Sequence, residues 1–304
     1  MTTQNRKKLT DWKVMLSATV FVLLFSSASA LNLDVLPTEA NAMKDNSKGN
    51  PNDWPFEGPA PPKNPDDVVP DSTPELNTID KEFPEKAKVA PPRGKFGVPI
   101  AGQADFASIA YQKSTINAVY GILQPHTTVS LSSGQVLYAP ALQPPNYSPL
   151  EVVTAYVRAT GSSTTENAYK VWNHPSSSFV VSKSFDATFF SNYVVVEGGK
   201  NFFYNIIEKN GSQWRVLLYN KVSNSWEVQY TSTSSSSIND GWMSWESTFN
   251  GACPSIPSVQ GKNFLVKDNG SWQSVTSSYG KAYNTMTCSY PTSWVSQFYN
   301  WIVN

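Results

Sequence analysis

Glu246 is the residue of this sequence whose neighbours best suit acid–base chemistry. It lies in the run 242–249, Trp-Met-Ser-Trp-Glu-Ser-Thr-Phe, which predicts a β-strand dense in aromatic side chains. Strand alternation places Trp242, Ser244 and Glu246 on one face of the sheet and Trp245 on the other. A carboxyl group beside tryptophan on a sheet face is shielded from water, a setting that suits a general acid or base. The alternative is a structural carboxylate at the sheet edge that accepts a backbone or tryptophan N–H bond.

The other titratable residues offer less. The sequence has two histidines, His126 and His174, each beside a proline, and we expect both to be solvated turn residues. So few histidines exclude most histidine-rich zinc sites, and we predict no metal and no cofactor. Nucleophile-elbow, metalloprotease, phosphate-loop and dinucleotide-binding motifs do not occur in the sequence. A Ser-His-Asp triad stays open, since no pattern locates one.

Nine further acids lie between residues 100 and 304, and none has a context comparable to that of Glu246. Glu208, Glu227 and Asp268 flank predicted turns or alternate outward, so we expect them to be solvated. The remaining acids are Asp105, Glu151, Glu166, Asp186, Glu197 and Asp240.

The charge balance limits the partners. The 304 residues carry 23 basic and 23 acidic side chains, so the formal net charge is zero. A chain without a basic field does not bind nucleic acid or acidic membranes by broad electrostatic attraction. We therefore expect no nucleic-acid partner.

Residues 1–30 predict an export signal peptide. Arg6, Lys7 and Lys8 precede an apolar run over 14–25, and small residues that suit signal-peptidase cleavage follow. The run is shorter than the roughly 20 apolar residues that a bilayer span needs. We expect no stable membrane span after cleavage, with an uncleaved anchor at the membrane surface as the alternative. Either route places the rest of the chain outside the cytoplasm, secreted or extracellular.

Residues 31–99 predict a disordered, proline-rich linker. They contain 13 of the 22 prolines, with 12 acids and 8 bases. Such a segment buries too little apolar area to offset the entropy of ordering it. We interpret it as an extended, partly polyproline spacer, or alternatively as a cleaved pro-segment. Trp54, Phe56 and Phe83 are its candidates for docking onto another surface.

Residues 100–304 predict an all-β domain. This part contains all 14 tyrosines and 8 of the 10 tryptophans, with few charges and many Ser, Thr and Asn residues. Asn210-Gly211 and Asn269-Gly270 are strong hairpin turns between runs of β-branched and aromatic residues. About a dozen short strands at this spacing predict an antiparallel β-sandwich of jelly-roll type. The predicted strands are 116–123, 129–138, 152–158, 168–172, 179–181, 184–190, 193–196, 202–208, 214–219, 226–230, 242–249 and 263–266.

Two helices are also predicted. One is short and covers residues 104–112. The other is at the C-terminus, where Trp294, Phe298, Trp301 and Ile302 follow helical spacing.

The two cysteines, Cys253 and Cys288, predict one disulfide in an exported chain. A redox or metal-binding pair is the alternative, but the CxxC spacing that it favours is missing.

Exposed aromatic side chains would give the domain a ligand surface. Trp226, Tyr230, Trp242 and Trp272 are the candidates, because flat indole and phenol rings stack on sugar rings. Low charge suits a neutral polysaccharide. The alternative for each ring is a place in the core.

The region from residue 168 to 251 resembles the second half of a concanavalin-A-like sandwich. The residues that carry this resemblance are Tyr169 to Pro175 (Tyr-Lys-Val-Trp-Asn-His-Pro), Gly198-Gly199-Lys200, Gln213-Trp214-Arg215-Val216 and Trp242 to Glu246 (Trp-Met-Ser-Trp-Glu). They are similar to motifs of the glutamic endopeptidase, or eqolisin, family. The resemblance implies that Glu246 is a catalytic glutamate paired with a glutamine. Gln124, in Gly-Ile-Leu-Gln, is the matching glutamine, although it lies earlier in the chain than the family pattern has it, and Asn173 stands where the family has glutamate.

Three functions follow from these observations. The first is a secreted binding module for a neutral glycan. The second is a glutamic-peptidase-like hydrolase that acts on polypeptide with Glu246 as general acid and base. The third is a structural extracellular surface protein.

Overall fold

The computed structural model describes residues 54–63, 68–70, 103–249 and 252–304. The predicted signal peptide and most of the predicted linker lie outside these residues. The described chain is almost entirely β, as the sequence predicts, and forms two packed sheets.

Seventeen strands and one short helix are present in the described part of the chain. In chain order they are β1 (Val69–Pro70), β2 (Gln103–Ala110), β3 (Ile116–Leu123), β4 (Val136–Gln143), β5 (Leu150–Val157), β6 (Glu166–Asn173), β7 (Ser178–Ser184), α1 (Ala187–Tyr193), β8 (Val195–Glu197), β9 (Lys200–Asn210), β10 (Gln213–Asn220), β11 (Ser225–Ser232), β12 (Gly241–Thr248), β13 (Val259–Asp268), β14 (Ser271–Ser274), β15 (Gly280–Asn284), β16 (Thr292–Ser296) and β17 (Asn300–Val303).

The two sheets contain ten and seven strands. The larger has the order β1-β11-β10-β9-β3-β13-β17-β16, with β14 beside β13 and β8 beside β9. The smaller has the order β15-β2-β12-β4-β5-β6-β7. Every pairing is antiparallel except that of β1 with β11.

The main core lies between the sheets. Phe106, Leu142 and Trp245 of the smaller sheet pack there with Val119 and Phe264 of the larger one, and all five are buried. A second apolar layer covers the outer face of the ten-stranded sheet and includes Trp54 and Phe56. The docking candidates of the predicted linker were Trp54, Phe56 and Phe83. The structure packs Trp54 and Phe56 on this face, and Phe83 lies outside the described residues.

Both predicted Asn-Gly hairpins are confirmed. Gly211 joins β9 to β10 with φ of +61°. Asn269 and Gly270 join β13 to β14 with φ of +49° and +80°, values that asparagine and glycine adopt more readily than other residues. Turn chemistry is local, which is why the sequence alone predicts these connections.

Both predicted helices are wrong. Residues 103–110 form strand β2, and the C-terminal segment is the hairpin β16–β17. Trp294 and Trp301 face each other across this hairpin, and Phe298 turns the chain with φ of +67°. The spacing that suits one helix face therefore also places the two indoles on one face of a hairpin. The aromatic and β-branched content of Trp294-Val295 and Trp301-Ile302-Val303 favours the strands.

The helix α1 was predicted as strand because of its aromatic residues. Asp186 precedes it and accepts a hydrogen bond from the backbone N–H of Phe189 at 2.8 Å. Phe189 and Tyr193 are buried against the core. The capping aspartate is the local signal for this helix.

The predicted disulfide between Cys253 and Cys288 is present, with Cα atoms 5.8 Å apart. It ties the segment after β12 to the segment before β16. Within the described residues, no helix has the length and hydrophobicity needed to cross a membrane.

Candidate active site

The outer face of the seven-stranded sheet holds the acidic residues that could do chemistry. On β12, Trp242 belongs to an outer cluster, whereas Met243 and Trp245 point into the core between the sheets. The predicted alternation along this strand is therefore confirmed. Ser244 and Glu246 share the outer face with Trp242, and both are buried.

Glu246 lies beside a second carboxylate. It pairs directly with Asp105 of β2 on one side and with Tyr138 of β4 on the other. Directly opposed residues have Cβ atoms about 4.5–5.5 Å apart and point to the same face. Thr285, which follows β15, donates a backbone hydrogen bond to the Asp105 carbonyl at 2.9 Å. Glu246 is 1% exposed.

Gln124 is not brought to Glu246. It follows β3 in the ten-stranded sheet, and its backbone N–H donates to the Gln260 carbonyl at 3.3 Å. Glu246 points outward from the opposite sheet, with the core between them. The pair implied by the resemblance is thus separated by the thickness of the sandwich, because Gln124 directly follows a strand of the other sheet.

A more connected carboxylate is Glu151 at the start of β5. It is completely buried. The indole Nε1–H of Trp242 donates to Glu151 Oε1 at 3.0 Å, and His174 Nε2 lies 3.5 Å from Glu151 Oε2. His174 also lies 3.2 Å from Gln143 Oε1. We call these four residues, Glu151, His174, Trp242 and Gln143, the Glu151 cluster.

The register of four strands assembles this cluster. Trp242 of β12 pairs with Gln143 of β4, and Glu151 of β5 pairs with Trp172 of β6. The β4–β5 register, in which Leu142 pairs with Val152, places Gln143 and Glu151 in the same row. His174 reaches the row from the turn after β6, where its backbone N–H donates to the Pro149 carbonyl at 2.8 Å.

The proton on His174 can be assigned from its surroundings. Gln143 Nε2 donates to the carbonyls of Pro144 and Ser148, at 3.3 and 3.1 Å, so Gln143 Oε1 must be the atom that faces His174. His174 Nε2 therefore faces two oxygen acceptors, Gln143 Oε1 and Glu151 Oε2. This arrangement places the N–H on Nε2, where it donates to Gln143 Oε1, while Glu151 Oε2 lies 3.5 Å away.

Aromatic rings surround the histidine. The rings of Trp172 and Trp242 each meet the His174 ring edge to face, with centroids 6.5 Å apart. Phe179 packs on Trp172 with centroids 4.8 Å apart. These rings shield the carboxylate from bulk solvent, which strengthens the electrostatic contacts inside. The His174 side chain, 13% exposed, is the accessible member of the cluster.

His174 is therefore a correction to the sequence prediction, which placed it in a solvated turn. His126 was predicted in the same way, and it too is partly buried, with Nε2 2.9 Å from the Ser258 carbonyl. Burial lowers the pKa of His126 below its ordinary value.

The three acids predicted to be solvated are all buried and have structural partners. Asp268 accepts a hydrogen bond from the Tyr279 hydroxyl at 3.0 Å and forms an ion pair with Lys113. Glu208 accepts hydrogen bonds from Arg215 at 2.8 and 2.6 Å. Glu227 accepts from Tyr193 at 2.9 Å and from Asn220 at 2.8 Å. Alternation along one strand predicts which face a side chain is on. It does not predict partners that neighbouring strands and α1 supply.

Two carboxylate centres thus share one sheet face. Glu246 is four residues from Trp242 along β12, so its row lies about 13 Å from the Glu151 cluster. Small side chains lie between the two rows, where Ser244 pairs with Ala141 and Ala141 pairs with Val153. The outer face of this sheet therefore has two carboxylate centres, Glu246 and Glu151, with a row of smaller side chains between them.

The four aromatic residues predicted as a ligand surface are not assembled on one face. Trp226 and Trp272 lie on the outer face of the ten-stranded sheet with Trp54 and Phe56. Tyr230 packs against the core between the sheets, and Trp242 belongs to the Glu151 cluster. Trp226 is 4% exposed and Trp242 is 3% exposed. Trp226 and Trp242 therefore occupy packed positions, which was the alternative to a ligand surface.

No group of three or more metal-ligating side chains occurs in the part of the chain that the structure describes. The Glu151 cluster offers one carboxylate and one imidazole whose Nε2 is already directed at oxygen atoms.

Among the comparisons with known proteins, only the comparison with solved structures finds matches. No family model and no curated protein matches the sequence. The chain is similar to scytalido-glutamic peptidase bound to a peptide-based transition-state analogue, at 13% identity over 66% of this chain and 98% of that one, with a TM-score of 0.38. It is also similar to SCP-B, a member of the eqolisin family, in complex with the tripeptide Ala-Ile-His, at 10% identity with the same coverage and TM-score. A third similar structure is the CBM2 module of the evolved Dit of Lactobacillus casei BL23 phage J-1, at 11% identity over 49% of this chain and 55% of that one, with a TM-score of 0.21.

Sequence reasoning missed Glu151, Gln143 and His174 as one site. Glu151 was among the nine acids without a distinguishing context, and nothing in Leu-Glu-Val-Val marks it. The one available signal was His174 itself, in Trp-Asn-His-Pro after a predicted strand, since a histidine at a strand end can turn toward the sheet.

Proposed function

We propose that the protein is a hydrolase whose general acid and base is Glu151, with polypeptide as its substrate. The observation that supports this best is a completely buried carboxylate held by Trp242 Nε1–H at 3.0 Å, with His174 Nε2 3.5 Å away. Burying a charge without partners costs several kcal/mol, so proteins keep such groups where their chemistry is used or where they are well paired. The resemblance of the sequence motifs to glutamic endopeptidases makes polypeptide the substrate to test first.

The chemistry needs one proton carrier. Glu151 takes a proton from water as the water oxygen bonds to the carbonyl carbon of the scissile peptide. The same carboxyl then gives the proton to the amide nitrogen as the C–N bond breaks, leaving a carboxylic acid and an amine. The Trp242 hydrogen bond holds the carboxylate in one orientation, His174 lies beside it, and Gln143 holds His174. His174 is the member that substrate reaches first, because it is the most exposed of the four.

Glu246 is the competing carboxyl, and Asp105 beside it makes a second acid–base arrangement chemically reasonable. Adjacent carboxyl groups can share one proton and divide the roles of acid and base. The two centres are far enough apart to be tested separately.

Glycan binding and a purely structural role stay as alternatives. The first would need a flat aromatic surface, and Trp226 and Trp272 are packed under residues 54–63 in the structure. We also propose that the protein acts outside the cytoplasm, a location supported by the export signal in the sequence and by the Cys253–Cys288 disulfide.

The test is digestion of casein by the purified full chain, from acid to neutral pH, with Glu151→Gln as the variant. Glutamine keeps the shape of the side chain and can still accept the Trp242 hydrogen bond, but it cannot carry the proton. We expect the wild type to release acid-soluble peptides. Glu151→Gln should release them about a hundred to ten thousand times more slowly.

Glu246→Gln is the matched control, because it makes the same change on the same sheet face. It should keep most of the activity. If Glu246→Gln is inert and Glu151→Gln is active, the working carboxyl is Glu246. If the wild type is inert at every pH, the hydrolase proposal is wrong, and a glycan array on the same protein tests the remaining binding function.

A further inference from the structure

The outer face of the ten-stranded sheet carries an aromatic groove that the chain fills with its own proline-rich segment, residues 54–63. This segment has the sequence Trp-Pro-Phe-Glu-Gly-Pro-Ala-Pro-Pro-Lys. Its apolar residues pack on Tyr120, Tyr204, Tyr219 and Trp226, which project from four neighbouring strands. Proline-rich segments that adopt an extended polyproline conformation are recognised by grooves of this composition.

The groove forms hydrogen bonds with backbone carbonyl groups of the segment. Trp226 Nε1–H donates to the Ala60 carbonyl at 2.9 Å. The Glu57 carbonyl accepts from Asn263 Nδ2 at 2.7 Å and from the Tyr120 hydroxyl at 3.3 Å. Indole, amide and phenol donors that point at carbonyl oxygens suit a segment rich in proline, because proline has a carbonyl but no N–H to offer.

Side-chain contacts fix the position of the segment along the groove. The Trp54 ring meets the rings of Tyr120 and Trp272 edge to face, with centroids 5.5 and 6.1 Å apart. Lys262 forms ion pairs with Glu57, at 2.7 Å, and with Glu197. Burial opposes the charge of Lys262, but the hydrogen bonds that Lys262 donates to these two glutamates outweigh it and raise the pKa of Lys262 above its ordinary value.

Gly58 is the point of closest approach. A Cβ atom at this position would lie 2.4 Å from the Tyr120 hydroxyl and 2.6 Å from the Tyr204 ring, and the φ of Gly58 is +82°. Only glycine satisfies both the space and the backbone angle. The groove therefore requires glycine at this position of its occupant and does not fit every apolar peptide.

We propose that this groove is a receptor for a proline-rich peptide, that its occupant is residues 54–63 of the same chain, and that non-covalent contacts alone are sufficient to hold it. β1 extends the contact, because Val69 and Pro70 pair in parallel with Glu227 and Val228 of β11. Between Pro70 and β2 lie residues 71–102, and none of the contacts named above depends on that connection. A cut within residues 71–102 would then leave the N-terminal part of the chain attached to the sandwich.

The experiment uses the full chain with a recognition sequence for a specific protease inserted between residues 76 and 77 and an affinity tag at the C-terminus. After cleavage, the protein is bound to resin at micromolar concentration and washed, and the retained fragments are identified by mass. We expect the N-terminal fragment to be retained. Gly58→Ala should abolish retention, and Trp226→Phe, which keeps a ring and loses the N–H donor, should speed release by roughly two- to tenfold.

Pro55→Ala is the matched control within the segment, because Pro55 is exposed. It should be retained like the wild type. Loss of the wild-type fragment in the first wash, with the near-ultraviolet circular dichroism of the sandwich unchanged, would overturn the proposal. A second outcome would also overturn it. If the uncut protein elutes as a dimer, and tagged and untagged copies exchange their segments 54–63 when mixed, the occupant of each groove is the segment of a second copy.

Discussion

At the scale of single residues, the decisive feature is how Glu151 is held. A buried carboxylate is stable only with donors around it, and here one donor is an indole from a distant strand. The orientation of Gln143 fixes the tautomer of His174, and His174 in turn faces the carboxylate. Each of these side chains has identified partners that explain its position.

Trp242→Phe tests this arrangement directly. The variant keeps a ring in the outer cluster and removes the hydrogen bond to Glu151. Because hydrogen bonds to charged groups contribute about 1.5–3 kcal/mol, we expect the free energy of unfolding to fall by roughly that amount in urea titration. Trp245→Phe is the control for ring size, since Trp245 lies in the core and does not contact Glu151. An equal loss in both variants would show that packing, and not the hydrogen bond, explains the result.

His126 gives a pH dependence of stability. Its pKa is lowered mainly by burial, so the folded protein favours the neutral imidazole. The stabilisation is complete above the ordinary histidine value of 6.5 and is lost as pH falls through the lowered pKa of the folded state. We expect the melting temperature to decline below that value, and the decline to be smaller in His126→Asn. An identical decline in both proteins would exclude His126 as its source.

At the scale of elements, local signals predicted the connections and failed on the two predicted helices. Asn269 and Gly270 form a turn by their own backbone preferences, so the sequence is sufficient there. Trp294 and Trp301 satisfy helical spacing and hairpin pairing equally well, and only packing against the sandwich decides between them. The Glu151 cluster depends on the register of four strands. Because register is set by contacts between distant segments, no local pattern could have predicted it.

The testable prediction at this scale concerns the stability that the disulfide contributes. It closes a loop of 35 residues between the end of β12 and the segment before β16. Loss of such a cross-link destabilises a protein by roughly 3–4 kcal/mol in the chain-entropy account. We expect Cys253→Ser with Cys288→Ser to lower the free energy of unfolding by that amount in guanidinium titration. A change well below about 1 kcal/mol would mean that β15, β16 and β17 hold this region without the cross-link.

At the scale of the whole molecule, the two outer faces of the sandwich differ in chemistry. The ten-stranded sheet has an aromatic face that residues 54–63 cover with carbonyl-directed hydrogen bonds. The seven-stranded sheet has an acidic face with two carboxylate centres. The sequence predicted the sandwich and the disulfide, and it marked Trp54 and Phe56 as candidates for docking. It placed the catalytic pair on Glu246 and Gln124, which the fold puts on different sheets.

The central claim is that Glu151 is the working carboxyl of this face. The most direct measurement is the ratio of the kcat/KM values of Glu151→Gln and Glu246→Gln on one polypeptide substrate, with both variants shown to be folded by circular dichroism. We predict that Glu151→Gln is at least about a hundredfold slower than Glu246→Gln. Equal rates in the two variants, or a slower Glu246→Gln, would contradict the claim.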